Sequence, residues 1–154
     1  MAGNVIADRL RADMKTAMKE GDKARLGTIR MLLSELKNAQ IAEGGELDEE
    51  REILVLSSYA KKRRESIGEF EKGGRKDLAD NERGELEIVT AYLPEQMDEK
   101  EIRDELSRII EDTGAEGQGD MGRVMGAMMS RFRGRVDGNT VKRIAAELLG
   151  PARD

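Results

Sequence analysis

Arginine and glycine residues are concentrated in one methionine-rich segment, GDMGRVMGAMMSRFRGRVDGN at residues 119–139. A guanidinium group is a planar fork of N–H donors that matches two phosphate oxygens, and glycine lets a ligand approach the backbone closely. This combination is typical of a surface that binds the phosphates of a polyanion. The candidate nucleic-acid-binding residues are Gly122, Arg123, Gly126, Arg131, Arg133, Arg135, Lys142 and Arg143.

The distribution of charge supports this hypothesis, although the whole chain carries a formal net charge of −5. Residues 96–118 hold eight acidic against three basic side chains, whereas residues 119–144 hold six basic against two acidic ones. Charge segregated in this way suggests a face that meets an anion. An ordinary solvated basic surface at the C-terminal end of a helix explains the same arginines equally well.

The segment that carries the arginines has the periodicity of an α-helix. At 100° per residue, six apolar side chains fall on one face, which is typical of a helix that packs on a core. Methionine also suits adaptable docking surfaces, and such a surface is the alternative. The apolar face consists of Met121, Val124, Met125, Met128, Met129 and Phe132.

Two glycines, Gly122 and Gly126, lie beside that apolar face together with Arg133. A glycine inside a helix costs about 1 kcal/mol relative to alanine, and the usual compensation is the close approach of another body. That body is either the last helix of the chain, which is the favoured interpretation, or a nucleic-acid backbone.

Two basic motifs in the first half of the chain are further candidates. The run KKRR at residues 61–64 spreads around a helix, and Arg63 falls within an apolar stripe. We expect Arg63 to form a structural ion pair with Glu82 or Glu85, and a binding cleft is the alternative. The sequence GGRKD at residues 73–77 could hold an anion at a helix N-terminus, but it lacks the spacing of a phosphate-binding loop.

The residue types that are missing exclude several kinds of chemistry. The chain has no histidine and no cysteine, which excludes an ordinary zinc site, a cysteine nucleophile and a Ser-His-Asp triad. We expect no metal and no cofactor, and no carboxylate pair stands in the apolar surroundings that suit acid–base catalysis. No apolar stretch has the length of a secretory leader or a membrane span, so we expect a cytoplasmic protein with no membrane partner.

The elements that position the candidate residues are predicted to be helices throughout. Aromatic residues make up only 3% of the 154 residues, which argues against a β-sandwich or a barrel. Apolar residues instead recur at three- and four-residue steps between helix start and stop signals. The start signals are Asn4, Asp22, Asp48, Asp77, the capping box of Asp98 and Glu101, and Asn139 or Thr140; the stop signals are Gly21, Gly44, Pro94 and Gly150.

These signals predict an all-α fold with two domains, a four-helix domain in residues 1–94 and a three-helix domain in residues 95–154. Pro94 marks the boundary, because the residue before a proline disfavours the helical conformation. A domain as small as the second is only marginally stable alone, and we expect it to lean on its neighbour or on a partner.

Four stretches of the chain resemble the GatB/YqeY family: IRMLLSELKNAQI, KKRRESIGEF, GGRKDLADNERGELEIVTAYLPEQM and GDMGRVMGAMMSRFRGRVDGNTV. The resemblance implies two α-helical parts, and it implies that residues 96–149 are similar to the C-terminal tail of GatB. GatB is a subunit of the amidotransferase that converts misacylated Glu-tRNA(Gln) or Asp-tRNA(Asn), and its tail recognises tRNA. Ser130 stands where the family often has proline, which predicts a helix that continues further here.

The resemblance implies a family label of carbon–nitrogen ligase with glutamine as the amido donor. Such an enzyme needs a nucleophile with its base, and a site for ATP and magnesium, and the sequence shows neither. An amidotransferase acting alone is therefore the least favoured interpretation. The favoured function is a non-catalytic protein that binds or accompanies tRNA. The alternative is an adaptor that docks on an aminoacyl-tRNA synthetase or an amidotransferase.

Overall fold

Seven α-helices and one short 3₁₀ helix form the secondary structure of residues 3–151, the part of the chain that this computed structural model describes. No strand occurs in this range, so the predicted all-α fold is confirmed. The helices are α1 (Val5–Glu20), α2 (Lys23–Glu43), α3 (Glu49–Lys72), α4 (Lys76–Thr90), α5 (Glu99–Thr113), α6 (Met121–Arg131) and α7 (Gly138–Leu149), and the 3₁₀ helix at Gln118–Asp120 precedes α6.

Contacts between residues divide the chain into two compact units, and the division falls between Pro94 and Glu95. In the first unit α1 packs on α2 and α3 packs on α4, and α2 also contacts both α3 and α4. Burial of apolar side chains between these helices is the main source of their stability. The core of this unit includes Ile6, Leu10, Ile29, Leu32, Leu36, Leu56, Tyr59 and Val89.

The second unit consists of α5, α6 and α7, each of which contacts the other two. Its apolar core is formed by the inward faces of the three helices, as their three- and four-residue periodicity predicts. The core includes Ile102, Leu106, Ile109, Val124, Met128, Val141, Ile144 and Leu149.

Several helices begin where the sequence predicts, because an aspartate side chain satisfies a free backbone N–H group in the first turn. Asp22 accepts a hydrogen bond from the Arg25 N–H at 3.1 Å, and Asp48 accepts one from the Arg51 N–H at 2.8 Å. The predicted capping box at the start of α5 is confirmed, with reciprocal bonds between Asp98 and the residue three positions later.

Two predicted starts were wrong, and one predicted side-chain cap is absent. Asn4 stands directly before α1, as predicted, but it has a left-handed backbone with a φ of 64° and makes no side-chain cap. Asp77 lies inside the first turn of α4, and α7 begins at Gly138 because Asp137 accepts hydrogen bonds from both the N–H and the hydroxyl of Thr140. At the other end, α6 runs through Ser130 and ends at Arg131.

A buried carboxylate performs the capping that Asn4 does not. Glu52 on α3 is only 1% exposed, and its two carboxylate oxygens accept hydrogen bonds from the backbone N–H groups of Ile6 at 3.1 Å and Ala7 at 2.8 Å. These two N–H groups belong to the first turn of α1, where the helix dipole favours a negative charge. The carboxylate therefore ties the start of α1 to α3.

The predicted structural ion pair of Arg63 is confirmed. Its Nε lies 3.0 Å from a carboxylate oxygen of Glu82, without the alignment of a hydrogen bond, and its Nη1 lies 3.7 Å from Glu85. The guanidinium carbon also lies 4.5 Å from the centre of the Tyr59 ring. Burial raises the pKa of Glu82, and the charge of Arg63 opposes that effect.

Candidate nucleic-acid interface

The apolar face of α6 belongs to the core of the second unit. Val124 and Met128 are completely buried. The other four members of the face are partly buried and pack against the same cluster of core residues. The prediction that this face is core is therefore confirmed.

The two glycines of α6 lie on its exposed side. A Cβ atom built on Gly122 or Gly126 would meet no atom of another element within 4 Å. The favoured interpretation of these glycines, tight packing against the last helix, was therefore wrong. Close packing would require a neighbouring atom near the missing Cβ, and α7 packs against other residues of α6. The approach of a ligand is the interpretation that stays open.

Arg123 lies on the same exposed side, near the start of α6. Its guanidinium group forms an ion pair with Asp120 at 3.0 Å, and the side chain is 55% exposed. A hydrogen bond from the backbone N–H of Glu116 lowers the pKa of Asp120, and the charge of Arg123 lowers it further. An exposed ion pair of this kind contributes little to stability, so Arg123 can exchange Asp120 for another anion.

The arginines that follow differ in how firmly the protein holds them. Arg131 is exposed at the last position of α6, and no ion pair or hydrogen bond of its side chain is found within residues 3–151. Arg133 is exposed in the turn that follows. Arg135 is partly buried, because its Nε donates to the carbonyl of Glu95 at 2.9 Å and its guanidinium carbon lies 5.8 Å from the centre of the Phe132 ring.

The turn after α6 is held by the first residues of the second unit. The backbone N–H of Met97 donates to the carbonyl of Arg135 at 2.9 Å, and the side-chain amide of Gln96 donates to the carbonyl of Gly134 at 2.7 Å. Gly134 has a φ of 79°, a left-handed conformation that glycine adopts at low cost. These contacts give the turn, and the arginines on it, a defined position.

The two predicted cations of α7 have different roles. Lys142 is exposed, and the described part of the chain contains no anionic partner for it. Arg143 instead forms ion pairs with Glu99 on α5 and, at 3.5 Å, with Glu147 on its own helix. Glu147 also accepts a hydrogen bond from Arg103 at 2.8 Å, which lowers the pKa of Glu147.

These ion pairs correct the interpretation of the charge segregation. The acidic α5 and the basic α7 lie side by side, and charges that are separate in the sequence are paired in space. Of the candidate cations, Arg131, Arg133 and Lys142 are exposed, and Arg123 forms an exposed ion pair. Gln118 is a structural residue that no local sequence pattern marks: its side-chain amide donates to the carbonyls of Ala146, at 3.1 Å, and Gly150, and so holds the end of α7.

This set of residues can bind an anion but contains no group that is placed for catalysis. Within residues 3–151, no three acidic side chains come together as a metal site would require. None of the helices in the same range combines the length and the apolar character needed to cross a bilayer.

Comparison with known proteins finds relatives that match most of the chain. A protein of Pyrenophora tritici-repentis named "Altered inheritance of mitochondria protein 41, mitochondrial" is 33% identical over 150 residues, which cover 96% of this chain and 82% of the relative. Proteins of the same name from Lachancea thermotolerans and Saccharomyces cerevisiae are 44% and 35% identical over 85 residues. The aligned region covers 54% of this chain but only 46% of each of these two proteins.

The names of these relatives contradict one prediction. We expected a cytoplasmic protein, but the relatives are named as mitochondrial proteins. The prediction was wrong because a cysteine-free, helical composition is compatible with more than one compartment. The model of the YqeY-like protein family matches residues 7–149. The chain therefore belongs to the family of YqeY-like proteins.

Proposed function

We propose that this protein is a non-catalytic accessory protein that binds tRNA through the exposed side of α6 and the turn that follows it. The observation that carries the proposal is the open face at Gly122 and Gly126, which are exposed and have no atom of another described element within 4 Å of a built Cβ. Exposed cations stand at both ends of this face, Arg123 at the start and Arg131 at the end.

A backbone-binding mode suits the residue types of this face. Arginine and lysine bind phosphates and hold a nucleic acid in position, while sequence is read by contacts to the bases. Phe132 packs against the core, and no other aromatic residue lies in the second unit, so stacking on single-stranded bases has no platform here. The face therefore suits the sugar–phosphate backbone of a folded RNA, recognised by its shape.

The resemblance of residues 96–149 to the tail of GatB supports tRNA as the RNA in question. In GatB, the tail is an RNA-recognition part that is separate from the chemical centre. This chain contains the tail-like unit but no nucleophile with its base, so the proposal assigns it binding without a reaction. An adaptor that docks on an aminoacyl-tRNA synthetase or an amidotransferase is the alternative that the experiment has to separate.

The test is fluorescence-anisotropy binding of purified protein to bulk tRNA at two salt concentrations. If about four phosphates are contacted, affinity falls on the order of 100-fold between ~50 and ~200 mM salt. The double variant Arg123→Ala/Arg131→Ala removes the two cations at the ends of this face, and with them two of these contacts. Its affinity should therefore fall only about 10-fold over the same range, and it should bind more weakly at the lower salt.

A matched control removes the same charge from another surface of the same unit. Lys100 and Arg108 are exposed on α5, a different helix of the same unit, and the variant Lys100→Ala/Arg108→Ala should bind like the wild type. If the two double variants weaken tRNA binding equally, the effect depends only on net charge, and the proposed face is contradicted. Absence of tRNA binding at low salt would contradict the proposal itself and favour the adaptor.

A further inference from the structure

Two grooves in the first unit meet along α2. One, of 580 Å³, lies between the N-terminal half of α2 and α4, and the other, of 640 Å³, lies between the C-terminal half of α2 and α3. Met31 lines both grooves and is 49% exposed, although it is a large apolar side chain. The 21 residues of α2, about 30 Å in length, therefore border one continuous open groove.

The side chains that α2 presents to this groove have the spacing of a helix that packs lengthwise against another helix. They follow one another at alternating steps of four and three residues, the pattern of a coiled-coil seam. Most of them are small or polar, and the single large apolar member stands near the middle. The seam consists of Ala24, Thr28, Met31, Glu35, Asn38 and Ala42.

The N-terminal half of the groove contains a hollow. Gly27 on α2 and Gly84 on α4 both line it, and a Cβ atom on either would meet nothing within 4 Å. Thr28 also lines this hollow, and the residue as a whole is only 4% exposed. The hollow therefore has room for an incoming side chain, and Thr28 supplies a hydroxyl group at its lining.

The charges on the walls of the groove are opposite in its two halves. The α4 wall of the N-terminal half carries the acids Asp80 and Glu85, whereas the α3 wall of the C-terminal half carries the bases Arg51, Lys62 and Arg63. On α2 itself the order is reversed, because Lys23 lies in the N-terminal half, while Glu35 and Glu43 lie in the C-terminal half.

We infer that this groove is the interface of a symmetric dimer, in which α2 of a second copy lies antiparallel along α2 with the two-fold axis at Met31. A two-fold interface brings the same patch of both copies together, so each half of the groove must complement the other half. The charges of α2 meet this condition, since the rotation brings Lys23 of each copy to the half of the groove that holds Glu35 of the other. Most charges on the α3 and α4 walls are already paired within one copy.

The antiparallel register makes specific contacts. Met31 meets Met31 of the second copy at the axis, where a flexible apolar side chain adapts to its own image. Four residues away on either side, Glu35 of the second copy lies opposite Gly27. Its carboxylate enters the hollow, where the Lys23 ammonium group and the Thr28 hydroxyl are its partners. Asp80 and Glu85 on the nearby wall are already paired with Arg83 and Arg63, which limits their repulsion.

The first experiment measures the mass of the full-length protein in solution by light scattering and sedimentation over a wide range of concentrations. The wild type should reach twice the 17.1 kDa of one chain. Met31→Glu places two like charges at the axis and should weaken dimerisation by about tenfold or more. Met18→Glu is the matched control, because Met18 is equally exposed at 55% but lies on α1, outside the groove.

The second experiment uses charge reversal, and its result does not depend on how well Met31→Glu folds. Lys23→Glu and Glu35→Lys each place like charges in both hollows, so each variant alone should be monomeric. When the two variants are mixed, a heterodimer has opposite charges in both hollows: one hollow holds the original pair of Lys23 and Glu35, and the other holds the same pair with its charges exchanged. The mixture should therefore form a heterodimer of wild-type affinity. Circular dichroism confirms that each variant keeps its helices.

Three results would overturn the inference. The first is a wild type that remains monomeric at every concentration, in which case a helix of another protein would be the candidate occupant of the groove. Alternatively, Met31→Glu and Met18→Glu would dimerise equally well, or the mixture of charge-reversal variants would fail to associate. Because the chain has no cysteine, Met31→Cys offers an independent readout: it should cross-link across the axis with a short bifunctional reagent, and Met18→Cys should not.

Discussion

Glu52 shows how much of this fold depends on a single side chain that the sequence does not mark. It stands among other acidic residues at the start of α3 and has the appearance of a solvated first-turn carboxylate. Its partners are backbone N–H groups 45 and 46 residues away, and no local pattern reveals an interaction over such a distance. The available signal was indirect: the first turn of α1 has several free backbone N–H groups, and a cap by Asn4 alone would leave some of them without an acceptor.

The variant Glu52→Gln should destabilise the first unit by about 1–3 kcal/mol, because an amide group replaces one acceptor oxygen and leaves a buried N–H without a partner. Urea denaturation followed by circular dichroism measures this change. Glu65→Gln is the control, since Glu65 is exposed on the same helix, and it should change stability by less than about 0.5 kcal/mol. Equal effects of the two variants would contradict the capping role.

The Glu82 carboxyl should titrate above its ordinary pKa of 4.5, because burial raises its pKa. Between pH 4.5 and the raised pKa, the Glu82 carboxyl holds a proton in the folded protein that it has released in the unfolded chain. The contribution of Glu82 to the unfolding free energy therefore falls as the pH rises through this interval. Side-chain NMR titration measures the pKa directly. Because Arg63 opposes the shift, Arg63→Leu should raise the pKa of Glu82 further, and an unchanged value would contradict this coupling.

The exposed glycines of α6 make stability and binding change in opposite directions. Gly122→Ala and Gly126→Ala should each stabilise the helix by about 1 kcal/mol, because a Cβ has free space there and alanine is the better helix former. If a nucleic-acid backbone approaches this face, the same methyl groups should weaken tRNA binding. Thermal unfolding and anisotropy on the same samples measure both effects.

A glycine with another role provides the comparison for that experiment. Gly114 ends α5 with a φ of 68°, and Gly114→Ala should destabilise the second unit by about 1–2 kcal/mol, since a side chain is strained in this conformation. Alanine substitutions in α6 that raise stability and leave tRNA affinity unchanged would show that the open glycine face does not contact RNA.

Helices were predictable from the sequence to the extent that their ends depend on local chemistry. The Asp98–Glu101 capping box and the aspartate caps of α2 and α3 need only residues three positions apart. The Arg63 ion pair was also predictable, because an arginine on an apolar stripe needs a partner. The pairing of Arg143 with Glu99 was not predictable, since it depends on how α7 is placed against α5. For the same reason the sequence did not show which cations of the candidate interface are held in ion pairs.

Over the whole molecule, the two compact units contain separate apolar cores. A fragment of residues 1–94 should therefore fold alone and unfold cooperatively, whereas a fragment of residues 95–154 should be marginal, because a unit of about 60 residues buries a small share of its surface. Circular dichroism on heating measures both. A fragment 1–94 without a cooperative transition would contradict the division at Pro94 and leave the predicted domains unsupported.

The backbone bond between Met97 and Arg135 has a practical consequence for work on this protein. The Met97 amide can exchange its hydrogen with deuterated solvent only when the turn that carries Arg133 and Arg135 opens. An anion that bridges those arginines would hold the turn closed, and exchange at Met97 would slow. The amide thus serves as a natural reporter of occupancy, readable residue by residue, at a position that itself touches no ligand.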